Sequence, residues 1–504
     1  MLLALQRGGH PPLAGKARDL IRACLAGAAL AMAVAGCTTA PHRVPPFSTW
    51  TKDPDKNVAD CATLFAAFDE AARRAAILDG GPPRVAGYPF LRADRTIAGL
   101  AASPRQDTDS LLREMRRLDV VGRLGEAANL PAAPRAALTA RLGSEPLDAA
   151  LIRCGDVLAT RADVAALGAI DLPDDYSVGR RLAGAYWLSR IPFSSGVRRY
   201  QRETERTFAL PVDRLPVTGT LQRYGVSAGA DDEPSPDVLR FGAVRDRAAL
   251  VPWFRRFAPV LEIDTAGDVD RIGRPRRRSD GSLDVGHVPV MFVRLAHTKV
   301  KGELWPQLVY SVWFPARPRS GVLDLLGGAL DGITWRVTLG PDGRPWLFDA
   351  MHTCGCYHQF FPTARLRLRA SPGGLDEWAF VPQTLPTLSE GDRTVLRIAS
   401  ATHFLQRILV VRDPPLGTSL RFEDDESLRS LPDEAGARRS LFRADGIVAG
   451  TERAERWLFW PMGIAAPGAM RQWGRHATAF IGRRHFDDID LVERYFDVAP
   501  AGTR

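Results

Sequence analysis

Lysine is nearly missing from this chain. Of 67 lysine and arginine residues only Lys16, Lys52, Lys56, Lys299 and Lys301 are lysines, so the net charge of +9 is carried by arginine. No basic run is interleaved with aromatics, and without that footprint nucleic acid is not an expected partner. Beyond residue 36 no stretch approaches twenty uninterrupted apolar residues, which excludes a later membrane-spanning helix of ordinary length. Also absent are a P-loop, a dinucleotide glycine fingerprint, H-E-x-x-H and G-x-S-x-G. Those absences remove the commonest NTPases, dehydrogenases, zinc proteases and α/β-hydrolases. No repeat of solenoid or propeller period is present. What remains, 45% hydrophobic and 25% charged over 504 residues, is a globular composition large enough for two or three cores.

The N-terminus carries the clearest local signal. Arg7, Lys16, Arg18 and Arg22 precede an apolar run over residues 23–35, too short for a bilayer and suited to a signal-peptide core. The run ends in Val34-Ala35-Gly36-Cys37. This resembles the lipobox of bacterial lipoproteins, and the resemblance covers the targeting segment alone. It implies cleavage before Cys37, a diacylglycerol on the Cys37 sulfur, acylation of the new amino terminus and a firm membrane anchor. Thr38, where an aspartate would imply retention at the inner membrane, implies export to the outer membrane of the cell envelope.

Periodicity divides the rest. Residues 1–36 read as signal peptide and 37–56, rich in Thr and Pro, as lipid attachment and tether. Residues 57–168 read as a helical domain: Cys61, Leu64, Phe65 and Phe68 share one face, and Leu151, Cys154 and Leu158 share another. Cys61 and Cys154 are the only cysteines there, and in an oxidising envelope they are expected to be joined. Residues 169–245 are turn-rich and read as an irregular connecting region. Residues 246–415 hold short runs rich in Val, Trp, Phe and Tyr, with "LGPDGRP" as a hairpin signal, and read as a mainly antiparallel β-rich domain. Residues 416–504 read as a mixed helix and loop region packing on it. The fold class expected is α+β.

The chemistry is concentrated in the last two regions. Residues 43–286 contain no histidine, whereas His287, His297, His352, His358, His403, His476 and His485 follow. In "MHTCGCYHQF" the side chains of His352, Cys354, Cys356 and His358 alternate, and Gly355 lets the chain turn between the cysteines. Three readings stand side by side: a zinc or copper site drawing on His352, Cys354, Cys356, His358 and also His297; a Cys354–Cys356 disulfide, strained and reducible; and a cysteine nucleophile activated by imidazole. Plain burial of the sulfurs is equally compatible with the spacing. A helical crossover within residues 315–330 would bring His297, with Glu303 as a possible base, to the same end of the sheet as His352. His476 and His485, beside Asp487 and Asp488, are further acid/base candidates, although "RRHFDDIDLVERYF" also reads as a capped helix. The aspartates of "DTAGDVDRIG", Asp264, Asp268 and Asp270, read as a solvated turn.

Two function classes follow. One is an enzyme, a metal-dependent hydrolase acting on an envelope component. The other is a binding or assembly lipoprotein with an envelope protein or glycan as partner and a structural His/Cys cluster. A concave pocket lined by these groups would favour the first, a closed cluster facing the core the second.

Overall fold

The structure, a computed structural model, describes residues 46–500 except 104–106, 228–233, 245, 323 and 435. Cys37 and the lipobox lie outside the described residues. The fold is α+β. Among the described residues no helix is long and apolar enough to cross a membrane.

Helices come first. Helix α1 (Lys56–Arg74), α2 (Thr108–Asn129) and α3 (Leu147–Ala159) enclose one core. The faces picked out by periodicity are the buried ones: Cys61, Leu64, Phe65 and Phe68 on α1 and Leu151, Cys154 and Leu158 on α3. Asp107 caps α2, accepting from the amides of Asp109 and Ser110, which satisfies two of the end groups that a helix leaves open. Cys61 and Cys154 are disulfide-bonded across a separation of 93 residues. A strand hairpin, Arg84–Val85 with Tyr88–Arg92, sits among these helices and was not foreseen. The helical region is tied to the rest by buried charge. Asp79 pairs with Arg92 at 3.0 Å, with Arg429, and with the Gln472 amide at 2.9 Å.

The connecting region is more regular than its sequence suggests. Residues 186–209 form one helix, α4 (Tyr186–Ala209), although it contains Pro192 and only Ser194, Thr204 and Phe208 are buried on it. Phe193, Val197 and Tyr200, spaced i, i+4 and i+7, form an apolar stripe, and it borders a cavity rather than a core.

The main sheet comprises β1 (Val290–Val300), β2 (Glu303–Arg317), β3 (Gly328–Leu339), β4 (Pro345–His352), β5 (Gln359–Pro362) and β6 (Arg421–Asp424), in the order β5-β4-β3-β2-β1-β6. Strands β1 to β5 form an antiparallel meander, and β6 adds a parallel edge beside β1. A second sheet is mixed: Val260–Thr265 lies parallel to Asp392–Ile398 and antiparallel to Thr220–Gly225, and Leu405–Arg412 pairs with 392–398. Leu308, Tyr310 and Val312 of β2 share a core with Ile263, Leu396 and Ile398 of the second sheet. The opposite face of the main sheet is covered too, Phe292 and Trp313 packing with Phe442 and Met470 of the C-terminal region. Coverage on both faces explains why β2 reads as a nearly continuous apolar run rather than as an alternation.

Two expectations fail here. The connection from β2 to β3 is not a crossover helix: Phe314 pairs with Asp331 and Gln307 with Thr338, antiparallel throughout. The meander therefore places His297, level with Pro306, and His352, level with Ile333 and Val312, six residues apart along the sheet and three strands across it. At roughly 3.3 Å per residue they are about 20 Å apart along the strands alone, too far to share one metal ion. Of the aspartates at 264–270 only Asp268 is solvated; the other two are buried. Asp264 accepts from the amides of Thr218 and Gly219, and buried Asp270 from those of Ala266, Gly267 and Ala401.

Candidate functional site: a cavity floored by two thiols

The loop after β4 folds back on itself. The His352 amide bonds the Cys356 carbonyl at 3.0 Å, the Gly355 amide bonds the His352 carbonyl at 2.7 Å, and the Cys356 amide points at the Cys354 sulfur at 3.4 Å. Gly355 has φ +90°, and a β-carbon there would stand 2.6 Å from the Ala477 carbonyl oxygen, so only glycine fits this turn. Both cysteines are free thiols. Two residues on, Tyr357 holds φ +62°, a conformation that costs a bulky residue energy and persists only where its surroundings impose it. Its ring is held against Tyr200 of α4, Phe404 and His352.

This loop forms part of the wall of a 660 Å³ cavity, a volume in the range of small-molecule sites. Helix α4 contributes Phe193, Val197 and Tyr200, and the C-terminal region contributes Leu458, Phe459 and Phe480. The wall is thus largely aromatic and aliphatic. Against it stand Cys354, Cys356, Arg317 and Glu455, and the lining also includes Glu203, Glu377 and Arg484. Arg317 is 7% exposed, lies over the Phe404 ring at 5.0 Å, and keeps its Nη1 buried with no hydrogen-bond partner among the described residues. A buried guanidinium nitrogen without an acceptor is costly. Burial pushes the Glu455 carboxyl up to about 7, although Arg453 and Arg317 pull against it. Burial would raise Cys354, but the neighbouring Cys356 thiol and the charge of Arg453 outweigh it and lower it, while the same neighbour holds Cys356 well above its ordinary value.

Behind the floor runs a buried polar relay. Asp331, at the start of β3, receives Nδ1 of His352 at 3.3 Å, Nδ1 of His403 at 2.9 Å and Arg453 at 3.4 Å. His403 stacks flat on Phe314 at 3.8 Å, and its Nε2 lies 3.5 Å from Asp270. Burial would lower His403, but the Asp270 and Asp331 carboxylates outweigh it and raise its affinity for a proton. His352 moves the other way, desolvation dominating. His403 and Ala401 both hold positive φ in the turn between the paired strands 392–398 and 405–412.

The residues singled out by sequence thus separate. Cys354, Cys356 and His358 line the one cavity and His352 lies immediately behind it. His358 gives Nε2 to Asp349 at 2.8 Å, and the same carboxylate is held by Arg336; desolvation brings His358 down to about 4. His476 supports the cysteine loop from outside, its Nε2 on the Thr353 carbonyl at 3.1 Å, and is lowered to about 3 by burial and Arg471. His485 stands edge-on to Tyr176 with Asp175 and Asp488 at 3.7 Å. His297 bonds the Leu239 carbonyl at 2.8 Å, and Glu303 is exposed at the β1–β2 hairpin, both remote from the cavity. Among the described residues no group of three or more His, Cys, Asp or Glu side chains is arranged to hold a metal ion. For zinc or copper the predicted ligand set is therefore not assembled: each of its histidines is turned to a carboxylate or carbonyl partner. Arg317, Glu455, Arg453, Asp331 and His403 carry the site and were not singled out; only Asp331, a carboxylate within the apolar strand β3, left a signal in the sequence.

No family model, no curated protein and no solved structure matches the chain.

Proposed function

We propose that this chain is a lipid-anchored protein of the cell envelope, favouring the outer membrane, that binds a small amphiphilic anion: an apolar body in the cavity and a carboxylate or phosphate at Arg317. The observation that carries the reading is Arg317, a buried guanidinium on the lining of a largely apolar cavity, one of whose nitrogens has no hydrogen-bond partner among the described residues. An anionic head would accept from the guanidinium where it borders the cavity, and a charge-assisted bond in a water-poor wall contributes more than its exposed counterpart. Glu455, half-protonated near pH 7, offers a second donor when neutral. The lipobox supports the anchor, and the Cys61–Cys154 bond suits an oxidising compartment. The cavity's surroundings suit uptake from a membrane. Leu182, Trp187, Leu188 and Ile191 are exposed just before Pro192 and Phe193 of its wall, and exposed Trp457 adjoins Leu458. Exposed apolar patches mark interaction surfaces, and tryptophan favours membrane interfaces.

The test is ligand content. The protein, extracted in mild detergent, is denatured and its bound lipids identified by mass spectrometry, and binding of a fluorescent fatty acid is titrated. Arg317→Gln is expected to weaken binding of the anionic probe about tenfold or more while sparing a neutral analogue. Gly196→Trp, at a wall position where an added β-carbon meets nothing within 4 Å, is expected to exclude both. Equal affinity of wild type and both variants would overturn the reading.

A further inference from the structure

We infer that Cys354 and Cys356 form a thiol–disulfide exchange centre that reacts with disulfides flanked by apolar groups, using the cavity as the route of access. The inference rests on the preceding reading only for that route and goes beyond it in chemistry.

Three features of the geometry carry it. The turn closed by the His352 and Gly355 amides brings the two cysteines together, the backbone amide of Cys356 lying 3.4 Å from the Cys354 sulfur. The pair differs in access, Cys354 being buried and Cys356 half-buried, and both line the cavity. Arg453, itself 2% exposed, offers positive charge beside Cys354 and is anchored on Asp331 at 3.4 Å and on the Leu330 carbonyl at 3.1 Å. A thiolate is the reactive form, and a hydrogen bond from a neighbouring thiol together with an arginine is what lowers the cost of making one. A ring closed across a single residue leaves the sulfurs little torsional freedom, and such disulfides reopen readily. The pair is therefore suited to cycling rather than to bracing the fold.

The step balances as follows. The Cys354 thiolate, favoured by Arg453, acts as the base and takes the proton of Cys356 as that more accessible sulfur attacks. The Cys356 thiolate attacks one sulfur of R–S–S–R, forming a mixed disulfide and releasing a first thiolate, which takes up a proton as R–SH. The Cys354 sulfur, losing its proton, attacks Cys356 Sγ, closes the Cys354–Cys356 bond and releases a second R–SH. The protein loses two electrons and its one remaining thiol proton, solvent supplies the proton for the first R–SH, and the incoming disulfide gains two electrons and two protons. Excess R–SH drives the reverse reaction.

The full-length protein in detergent, mildly reduced so that Cys61–Cys154 stays closed, is mixed with 4,4′-dithiodipyridine or with oxidised glutathione. Released thiol is followed by absorbance and the product by peptide mapping. Wild type is expected to release two equivalents, to gain a 354–356 cross-link that dithiothreitol reopens, and to prefer the aromatic disulfide over the charged peptide at least tenfold more strongly than free dithiothreitol does, since the leaving thiol alone already favours the aromatic one. Cys354→Ser is expected to stop after one equivalent with the pyridyl group retained on Cys356, and Cys356→Ser to react slowly or not at all. Circular dichroism on each variant separates lost chemistry from lost folding. A stable mixed disulfide on wild type, or thiols that react only after denaturation, would overturn the proposal. Exchange that persists in a protein holding no amphiphile would sink the ligand reading alone, and bound amphiphile with inert thiols would sink this one alone.

Discussion

The chain contains two cysteine pairs that behave in opposite ways. Cys61 and Cys154 are 93 residues apart and bonded; Cys354 and Cys356 are two residues apart and free. The difference is set by what surrounds each pair. The first lies where two amphipathic helices press their apolar faces together inside a closed core, so the sulfurs meet because the helices do. The second sits on a turn at the edge of a cavity, with charged groups near it and a polar relay behind it. Proximity along the chain is thus no guide to bonding: distant cysteines on packed faces are braced, and adjacent ones on a turn are left available.

Breaking each pair should expose the contrast. The largest effect is expected from Cys61→Ser or Cys154→Ser. Opening a loop of that length costs about 3 to 5 kcal/mol in the chain-entropy view, read as a fall in denaturant midpoint that strong reductant reproduces in wild type. Cys356→Ser should leave that midpoint nearly unmoved. A drop for Cys356→Ser as large as that for Cys61→Ser would erase the distinction between a brace and a reactive site.

Next in size is Gly355→Ala. Its positive φ and the Ala477 carbonyl 2.6 Å from the new carbon predict a loss of about 1 to 3 kcal/mol, together with slowed thiol exchange because the turn that joins the sulfurs is disturbed. Unchanged stability and unchanged exchange would show that the turn does not hold the pair together.

The smallest effect is in pH dependence and concerns the cavity alone. Glu455 binds its proton more tightly in the folded chain, up to about 7 from an ordinary 4.5, because of burial. Below pH 4.5 folded and unfolded forms are both protonated and the group contributes no penalty. As pH rises from there through 7 the unfolded chain releases the proton first, and stability falls. Glu455→Gln should remove that decline, leaving the variant more stable than wild type above pH 7 by on the order of 1 kcal/mol, a carboxyl at a cavity wall being partly screened. Parallel stability curves for the two proteins across this range would contradict the assignment.

How much of this was readable beforehand follows from the range of the interactions. The α1 and α3 faces, the hairpin at "LGPDGRP" and the Cys61–Cys154 pairing rest on spacing and residue type within a segment, and the structure bears them out. Helix α4 was missed although Phe193, Val197 and Tyr200 carry helical spacing, because Pro192 and the turn-rich stretches on either side read as irregular chain. The composite site of His297, Glu303 and His352 failed on one connection: residues 318–327 return as part of a meander, and a meander separates what a crossover would have joined.

The sequence by itself determined the α+β class, the helical faces, the cysteines that bond and the turn at Gly355. Each of these is written in local periodicity or in what a single residue's backbone permits. Only the tertiary structure decided that Arg317 from β2, the cysteine loop after β4 and Glu455 from the C-terminal region would border one cavity with α4. It also decided that Asp331 would gather His352, His403 and Arg453 from three distant segments. These groups meet through strand order and through the burial of charges that must find partners across the fold. Neither leaves a period in the chain.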